Sequence, residues 1–260
     1  MGPEQPIILT YAELRAATDN FAPPRRVGEG GFGVVYAAAL PSLPLAGQVA
    51  VKRLAVAAAQ QQQAWLELVR EIQLLGTCSH PCLLPLLGFC LDPEAPCLVY
   101  PLMEGGSLED RLLLGTAFPP GDAAAEHHAQ LRLQRLAALG FPEPPPPLTW
   151  QERLEAGLGM LEGLVFLHAP AGDKGVELHC DVKPSNVLLR CVPTGGGGSR
   201  LMAQLADVGL AQQQGDGHTH VSLSGVSGTS GFIDPILVDT QRATQESDGY
   251  AAGPRLRPRP

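Results

Sequence analysis

The sequence is poor in aromatic residues (5%) and in charged ones (17%), and its basic side chains are outnumbered: 18 Lys and Arg against 26 Asp and Glu give a net charge of −8. An acidic chain repels a phosphate backbone, which excludes general nucleic-acid binding but not a nucleotide held locally by a metal and a few cations. The six cysteines form no CxxC pair, and no histidine spacing completes a zinc pattern. They read as reduced thiols of a cytosolic protein. The opening MGPEQPIILT has neither a basic n-region nor an apolar core, so no secretory signal is expected. Pro6 stands where a myristoylation motif after Gly2 needs Ser or Thr. No apolar run reaches the roughly 18 residues of a membrane span.

What is present is a chain of 260 residues, 45% hydrophobic, enough for one or two compact domains. Thr10–Asp19 reads as a short helix opened by a Thr10–Glu13 capping box. Strands are expected at Val34–Tyr36, Gln48–Leu54, Leu83–Phe89 and Cys97–Leu102. Gln60–Leu75 has helical periodicity, with Trp65, Leu68, Val69, Ile72 and Leu75 on one face and Glu71 at its edge. The first hundred residues thus form a small antiparallel sheet carrying one helix. A second helix-start pattern runs from Ser107 to Asp110.

Thr116–Pro147 changes character. It is Ala-rich, then Pro-rich, and reads as an insertion with a short helix at Ala123–Leu139 and a polyproline spacer, the latter also fitting an SH3-type ligand. Thr149–His168 is a helix with a Thr149–Glu152 capping box and an apolar side of Leu154, Leu158, Leu161, Leu164, Val165 and Leu167. Short strands follow at Glu177–Leu178, Val187–Leu189 and Leu201–Ala206, with a Gly-rich turn at Gly195–Ser199. Gln212–Gly231 reads as loop.

Four groups of residues carry chemistry. Gly28, Gly30 and Gly33, followed by Val35, fit G-x-G-x-x-G-x-V, a hairpin whose backbone can approach phosphates without Cβ obstruction. With 30 glycines in the chain, chance alone gives about 0.4 such matches, so the pattern by itself also fits an ordinary Gly-rich hairpin. The flanking strands separate it from a dinucleotide fingerprint, which runs straight into a helix. Lys52, in the strand Val49–Lys52, can reach phosphates if a carboxylate holds it, and Glu71 is the best-placed donor. Taken singly, both also read as ordinary surface charges. The deciding phrase runs from His179 to Asn186 and matches H-R-D-x-K-x-x-N except at Cys180. Asp181 is placed to accept a hydroxyl proton, Lys183 to neutralise a moving phosphoryl group, and Asn186 to offer oxygen to Mg²⁺. Asp207 follows a strand and supplies the carboxylate a hard cation needs.

With these phrases in order, the chain resembles the protein kinase domain of the receptor-like kinase, Pelle and interleukin-1-receptor-associated kinase group. The likeness runs from Thr10 to Pro235, through YAELRAATDNF, VGEGGFGVVY, HCDVKPSNVLL and GTSGFIDP. The resemblance implies an α+β, bilobal protein-kinase-like fold with a small antiparallel-sheet N-lobe and a mainly helical, incomplete C-lobe. It implies an N-terminal extension at 1–26, an N-lobe at 27–104 and a partial C-lobe at 105–260, with the insertion at 116–147 and a tail at 253–260. It also implies a cytoplasmic serine/threonine kinase using ATP and Mg²⁺, with a protein substrate and a partner covering the incomplete lobe. By position, Gly28, Gly30, Gly33 and Val35 cover ATP, Ala50 lines the adenine pocket, Tyr100 is the gatekeeper, and Pro101 and Met103 form the hinge. Thr229 matches the threonine that bonds the catalytic Asp and Lys. The other reading is an ATP-binding scaffold without turnover.

Departures from the pattern sharpen these expectations. Cys180 replaces an arginine that pairs with phosphorylated loops, so phosphate on Thr219, Ser222, Ser224, Ser227 or Ser230 is expected not to act through it. Val208 replaces a phenylalanine, and Ile236 replaces a glutamate. The phrase from Ser247 to Ala252 resembles the start of the helix that organises the large lobe, and a Pro-rich tail follows. On this reading Leu154, Leu158, Leu161 and Leu164 lose their covering helices. Exposing each costs roughly 1.5–3 kcal/mol.

Overall fold

The computed structural model describes residues 5–30, 33–43, 47–54, 61–114, 122–141, 143–170, 174–193, 199–215, 217–225 and 228–253. The fold is bilobal. Its first half is a six-stranded sheet of β1 (Ile7–Ile8), β2 (Arg26–Gly30), β3 (Gly33–Ala39), β4 (Gln48–Leu54), β5 (Gly88–Cys90) and β6 (Cys97–Pro101), in the order β1-β5-β6-β4-β3-β2. Only the β1–β5 pair is parallel.

Strand alternation sorts this sheet's two faces. In β4, Val49 and Val51 are fully buried against Leu9, Leu14, Phe21 and Tyr36. Ala50 and Lys52 therefore point the other way, into the space between the lobes. Register does the rest: Lys52 lies between Val35 and Leu98, and Ala50 lies beside Tyr100.

Helix α1 (Tyr11–Ala17) closes the far face of the sheet. Its expected capping box is half made. Thr10 accepts the Glu13 N–H at 3.2 Å, but the Glu13 carboxylate turns away to take the Ser42 hydroxyl. Helix α2 (Gln61–Thr77) buries Leu68, Leu74 and Leu75, with Glu71 on the same buried side. The strand expected over Leu83–Phe89 shrinks to β5. Pro85 has no N–H to give a ladder, and the residues before β5 turn to the other lobe instead: the Leu84 N–H meets Leu205 O at 2.9 Å.

The second half is built on α3 (Leu108–Leu112), α4 (Ala123–Ala138) and α5 (Trp150–His168), with the hairpin β8 (Val187–Pro193) and β9 (Ser199–Leu205). Residues 194–198, the expected Gly-rich turn, lie outside the described residues, as do 115–121 and 254–260. The Thr149–Glu152 box of α5 is complete in both directions. Gly159 and Gly163 bring α5 close to its neighbours. A Cβ on them would stand 3.0 Å from Ala203 O and 2.9 Å from Cys82 O.

The apolar side of α5 divides. Met160, Leu164 and Leu167 are buried, whereas Leu154, Leu158, Leu161 and Val165 are exposed along with Trp150. The expectation that Leu164 loses its cover is thus corrected: in a helix it shares the inward face with Met160 and Leu167, at i−4 and i+3. Lys174 ends this helix, donating from Nζ to the carbonyls of Leu167 (2.8 Å), Ala169 (2.6 Å) and Gly175 (2.9 Å). A cation there meets the negative end of the helix dipole.

The loop expected over Gln212–Gly231 contains two short strands. β10 (Gln212–Gln214) pairs with β7 (Val176–Leu178), and β11 (Val221–Ser222) pairs with β12 (Arg242–Ala243). Backbone bonds hold them, so a run of glutamines suffices and leaves no apolar alternation to read. The chain closes with α6 (Pro235–Thr240), N-capped by Asp234, and α7 (Gln245–Ala252), capped by Thr244 and Ser247. One apolar core joins the lobes, from Leu68, Leu75 and Leu98 to Leu164, Leu189, Leu205 and Val208.

Candidate active site

A cleft of about 500 Å³ lies between the lobes, a size suited to a small ligand. Val27, Gly28, Gly33 and Val35 line it from β2 and β3, Ala50 and Lys52 from β4, and Tyr100 and Met103 from β6 and the turn after it. Leu188, Lys183, Asn186 and Asp207 face them from the other lobe. Gly30 closes the β2–β3 ladder opposite Gly33, and the tip at 31–32 lies outside the described residues. Gly33 has no substitute here. Its φ is +144°, and a Cβ would stand 2.2 Å from Arg53 O.

At the back of the cleft Lys52 Nζ lies 2.7 Å from Asp207 Oδ1 and 3.6 Å from Glu71 Oε2. Burial alone would lower the pKa of this ammonium, but Asp207 and Glu71 outweigh it and hold it above its usual range. Burial likewise opposes ionised Asp207, and Lys52 overcomes it, so that carboxyl stays below its ordinary value. Glu71 goes the other way: burial raises it, with Lys52 pulling back. Tyr100 is buried beside Glu71. Burial and that nearby charge raise its phenol well above normal, yet neither the hydroxyl nor Glu71 Oε1 completes a hydrogen bond of good geometry.

Asp181 sits on the segment joining β7 to β8. Its Oδ2 accepts from Lys183 Nζ at 2.6 Å and its Oδ1 from the Thr229 hydroxyl at 2.8 Å. Lys183 also donates to Thr229, closing a triangle. The Asn186 amide nitrogen donates to Asp181 O at 2.9 Å. That choice orients the side chain and leaves its oxygen, rather than its nitrogen, for a cation.

Two residues outside the expected set hold this loop. His179 is fully buried; its Nδ1 accepts the Asp181 N–H at 3.3 Å, which leaves Nε2–H to donate to Ala206 O at 3.2 Å. The neutral imidazole therefore ties the Asp181 segment to the Asp207 segment. Asp248 accepts the backbone N–H of His179 at 2.7 Å and of Cys180 at 2.9 Å, and meets His168 Nε2 at 2.9 Å. The H-x-D phrase pointed to His179, but no local signal ties Asp248 to amides 68 and 69 residues away. Cys180 and Asp207 both adopt left-handed backbone, each with φ 64°, a conformation that costs a non-glycine residue roughly 1–3 kcal/mol and gathers at functional sites.

The donor set suits a nucleotide and magnesium. Apolar Val27, Val35, Ala50 and Leu188 can enclose a base, and a buried cation stands at one end of the same cleft beside two side-chain oxygen donors. Among the described residues no cluster of three or more His, Cys, Asp or Glu is arranged for a metal. Mg²⁺ needs none: it is held by one or two carboxylates, with phosphates and water completing its shell.

Comparison with known proteins agrees in kind. The family described as "Protein kinase domain" matches residues 21–256. Over 95% of its length the chain is 38% identical to "Leucine-rich repeat receptor protein kinase MSL1" of Oryza sativa subsp. japonica, covering 15% of that protein. It is 35% identical over 94% of its length to "Probable serine/threonine-protein kinase PBL10" of Arabidopsis thaliana, covering 51%, and 34% identical to "Probable serine/threonine-protein kinase PBL3" of the same plant, covering 49%. The chain thus spans about half, or less, of the length of these relatives. With its cleft, its paired lobes and this match along nearly its whole length, the chain belongs to the protein kinase family, among relatives that are plant receptor-like kinases.

Proposed function

We propose that this chain is a protein serine/threonine kinase that transfers the γ-phosphoryl group of ATP to a protein hydroxyl. The observation that carries the reading is two charge pairs gathered at one cleft: Lys52 with Asp207 at 2.7 Å, bridging the lobes, and Lys183, which lines the cleft, with Asp181 at 2.6 Å. When bound, ATP supplies the phosphoryl group, and Mg²⁺ offsets its charge. Gly28, Gly30, Gly33 and Val35 cover the phosphates, and Lys52, held by Glu71, binds them. Ala50, Tyr100 and Met103 surround the base; Asn186 and Asp207 hold the metal. Asp181 orients the substrate hydroxyl and takes its proton as the new O–P bond forms and the bond to the β-phosphate oxygen breaks. Lys183 offsets the charge that develops.

Lys183, two residues after Asp181, supports serine and threonine over tyrosine, as do the names of the two Arabidopsis relatives. Unpaired cysteines support a cytoplasmic site of action. Among the described residues no helix is long and apolar enough to cross a membrane. The exposed row of Trp150, Leu158 and Val165 supports a partner surface on α5.

Purified chain with radiolabelled ATP, Mg²⁺ and a generic Ser/Thr protein substrate tests the reading. Transfer is expected, and is expected to vanish in Asp181→Ala and on chelation of Mg²⁺. Transfer that survives Asp181→Ala would overturn the assigned base. A second reading has its own observation: Lys52 lies closer to Asp207 than to Glu71, so the metal carboxylate is already engaged. An ATP-binding module without turnover would show a Mg-ATP-dependent rise in Tm and no transfer.

A further inference from the structure

The insertion between α3 and α5 is not a passive spacer. Its helix α4 is seated by Leu136, 1% exposed, which lies over Gly106 so closely that a Cβ there would come within 3.1 Å. Arg135 forms an ion pair with the buried carboxylate of Asp110 on α3. Arg132, also buried, approaches the same carboxylate at 4.0 Å and donates to Leu113 O at 3.5 Å. The Ser107 hydroxyl supplies a further bond to Asp110 at 2.9 Å. Two arginines on one buried acid hold α4 firmly against the helical lobe.

From that anchor α4 reaches the other lobe. It lies against β2, the strand that carries Gly28. His128, Arg135 and Leu139 line the same cleft as Lys52 and Met103. Resting on the nucleotide reading above, the base belongs beside Met103 and the phosphates beside Lys52, so the sugar falls between them, on the side where Asp110 and α4 stand.

We propose that α4 is a wall of the nucleotide site, latched by Arg135 on Asp110, that closes the sugar side of the cleft and excludes nucleotides bearing bulky groups on the ribose. A wall that touches both lobes limits how far they part, and the side chains of His128, Arg135 and Leu139 occupy the space a ribose substituent would need. The cleft is thereby selective for what extends from the sugar, while contacts to base and phosphates are untouched.

The test compares Mg-ATP, by calorimetry, with ATP carrying a trinitrophenyl group on the ribose, by fluorescence, on the full chain. The readout is the ratio of the two Kd values. Arg135→Gln is expected to shift that ratio about tenfold in favour of the substituted nucleotide, whatever its effect on ATP itself. Arg132 and Ser107 still satisfy Asp110 in this variant. Leu139→Ala, at a partly exposed position, thins the wall without touching the latch and is expected to move the ratio the same way. It decides the matter if Arg135→Gln fails to melt cooperatively. An unchanged ratio in a folded variant would overturn the wall. Absence of ATP binding by the natural chain, or binding indifferent to Lys52→Met, would instead bring down the nucleotide reading, and the wall with it.

Discussion

Asp248 accepts the backbone N–H of Cys180 at 2.9 Å, fixing from α7 a residue whose φ of 64° carries a conformational cost. The same carboxylate holds the N–H of His179. Asp248→Ala leaves both amides without their acceptor in a buried site. It is expected to lower the unfolding free energy by about 3 kcal/mol, in the range for hydrogen bonds to charged groups, and to reduce phosphoryl transfer. Asp248→Asn keeps one good acceptor oxygen and should fall between. Urea unfolding checks this; an unchanged midpoint in Asp248→Ala would remove the anchoring role.

The capping box of α5 gives a prediction with a pH sign. Bonds from the Thr149 N–H and hydroxyl hold the Glu152 carboxyl below its ordinary 4.5. A carboxyl depressed in the folded state contributes stability that is present above 4.5 and is lost as pH falls through the lower folded value. Thr149→Ala should therefore cost about 1 kcal/mol near neutrality, and the gap to the natural chain should narrow on acidification below 4.5. Equilibrium unfolding at pH 7 and pH 3.5 measures both. A gap that widens in acid contradicts the box.

The thiols differ sharply in exposure and in how strongly burial opposes their ionisation. Cys191 is exposed, while burial pushes Cys97 up to about 12, and burial with the Glu162 carboxylate pushes Cys82 to about 11. At pH 8 the thiolate fraction at Cys82 and Cys97 is lower by a factor on the order of a hundred or more than at a free cysteine. With a thiol-specific chromogen, Cys191 should react first in native buffer, and Cys82 and Cys97 only on unfolding. Peptide mapping of the labelled chain identifies the site.

The two sides of α5 should respond oppositely to substitution. Leu158 is 59% exposed and Leu164 is 3% exposed. Leu158→Gln is expected to change stability by less than about 0.5 kcal/mol and to raise solubility. Leu164→Ala is expected to cost about 2–5 kcal/mol through lost packing and a cavity. Equal costs at the two positions would mean that the outer face is covered in solution.

How much of this was legible in the sequence follows from the range of each interaction. β4 is readable residue by residue, because Val49 and Val51 alternate with Ala50 and Lys52 and alternation is a local property. The α5 box is readable because Thr149 and Glu152 are three residues apart. At Thr10 and Glu13 the same spacing misleads: Ser42, 29 residues on from Glu13, takes the carboxylate. The strands β10 and β11 leave no apolar pattern, since their bonds are backbone to backbone. The hold of Asp248 on Cys180 and of Arg135 on Asp110 each joins residues far apart in sequence, and nothing in either neighbourhood announces its partner.

The distance along the chain between paired charges also sets an order of assembly. Lys52 waits for Asp207, 155 residues later, and the loop of Asp181 waits for Asp248. Because chains are synthesised from the N-terminus at roughly 5–20 residues per second, all six strands of the first sheet are made many seconds before Asp207 and Asp248. The Asp181 loop therefore reaches its final geometry only after α7 has been made and has docked.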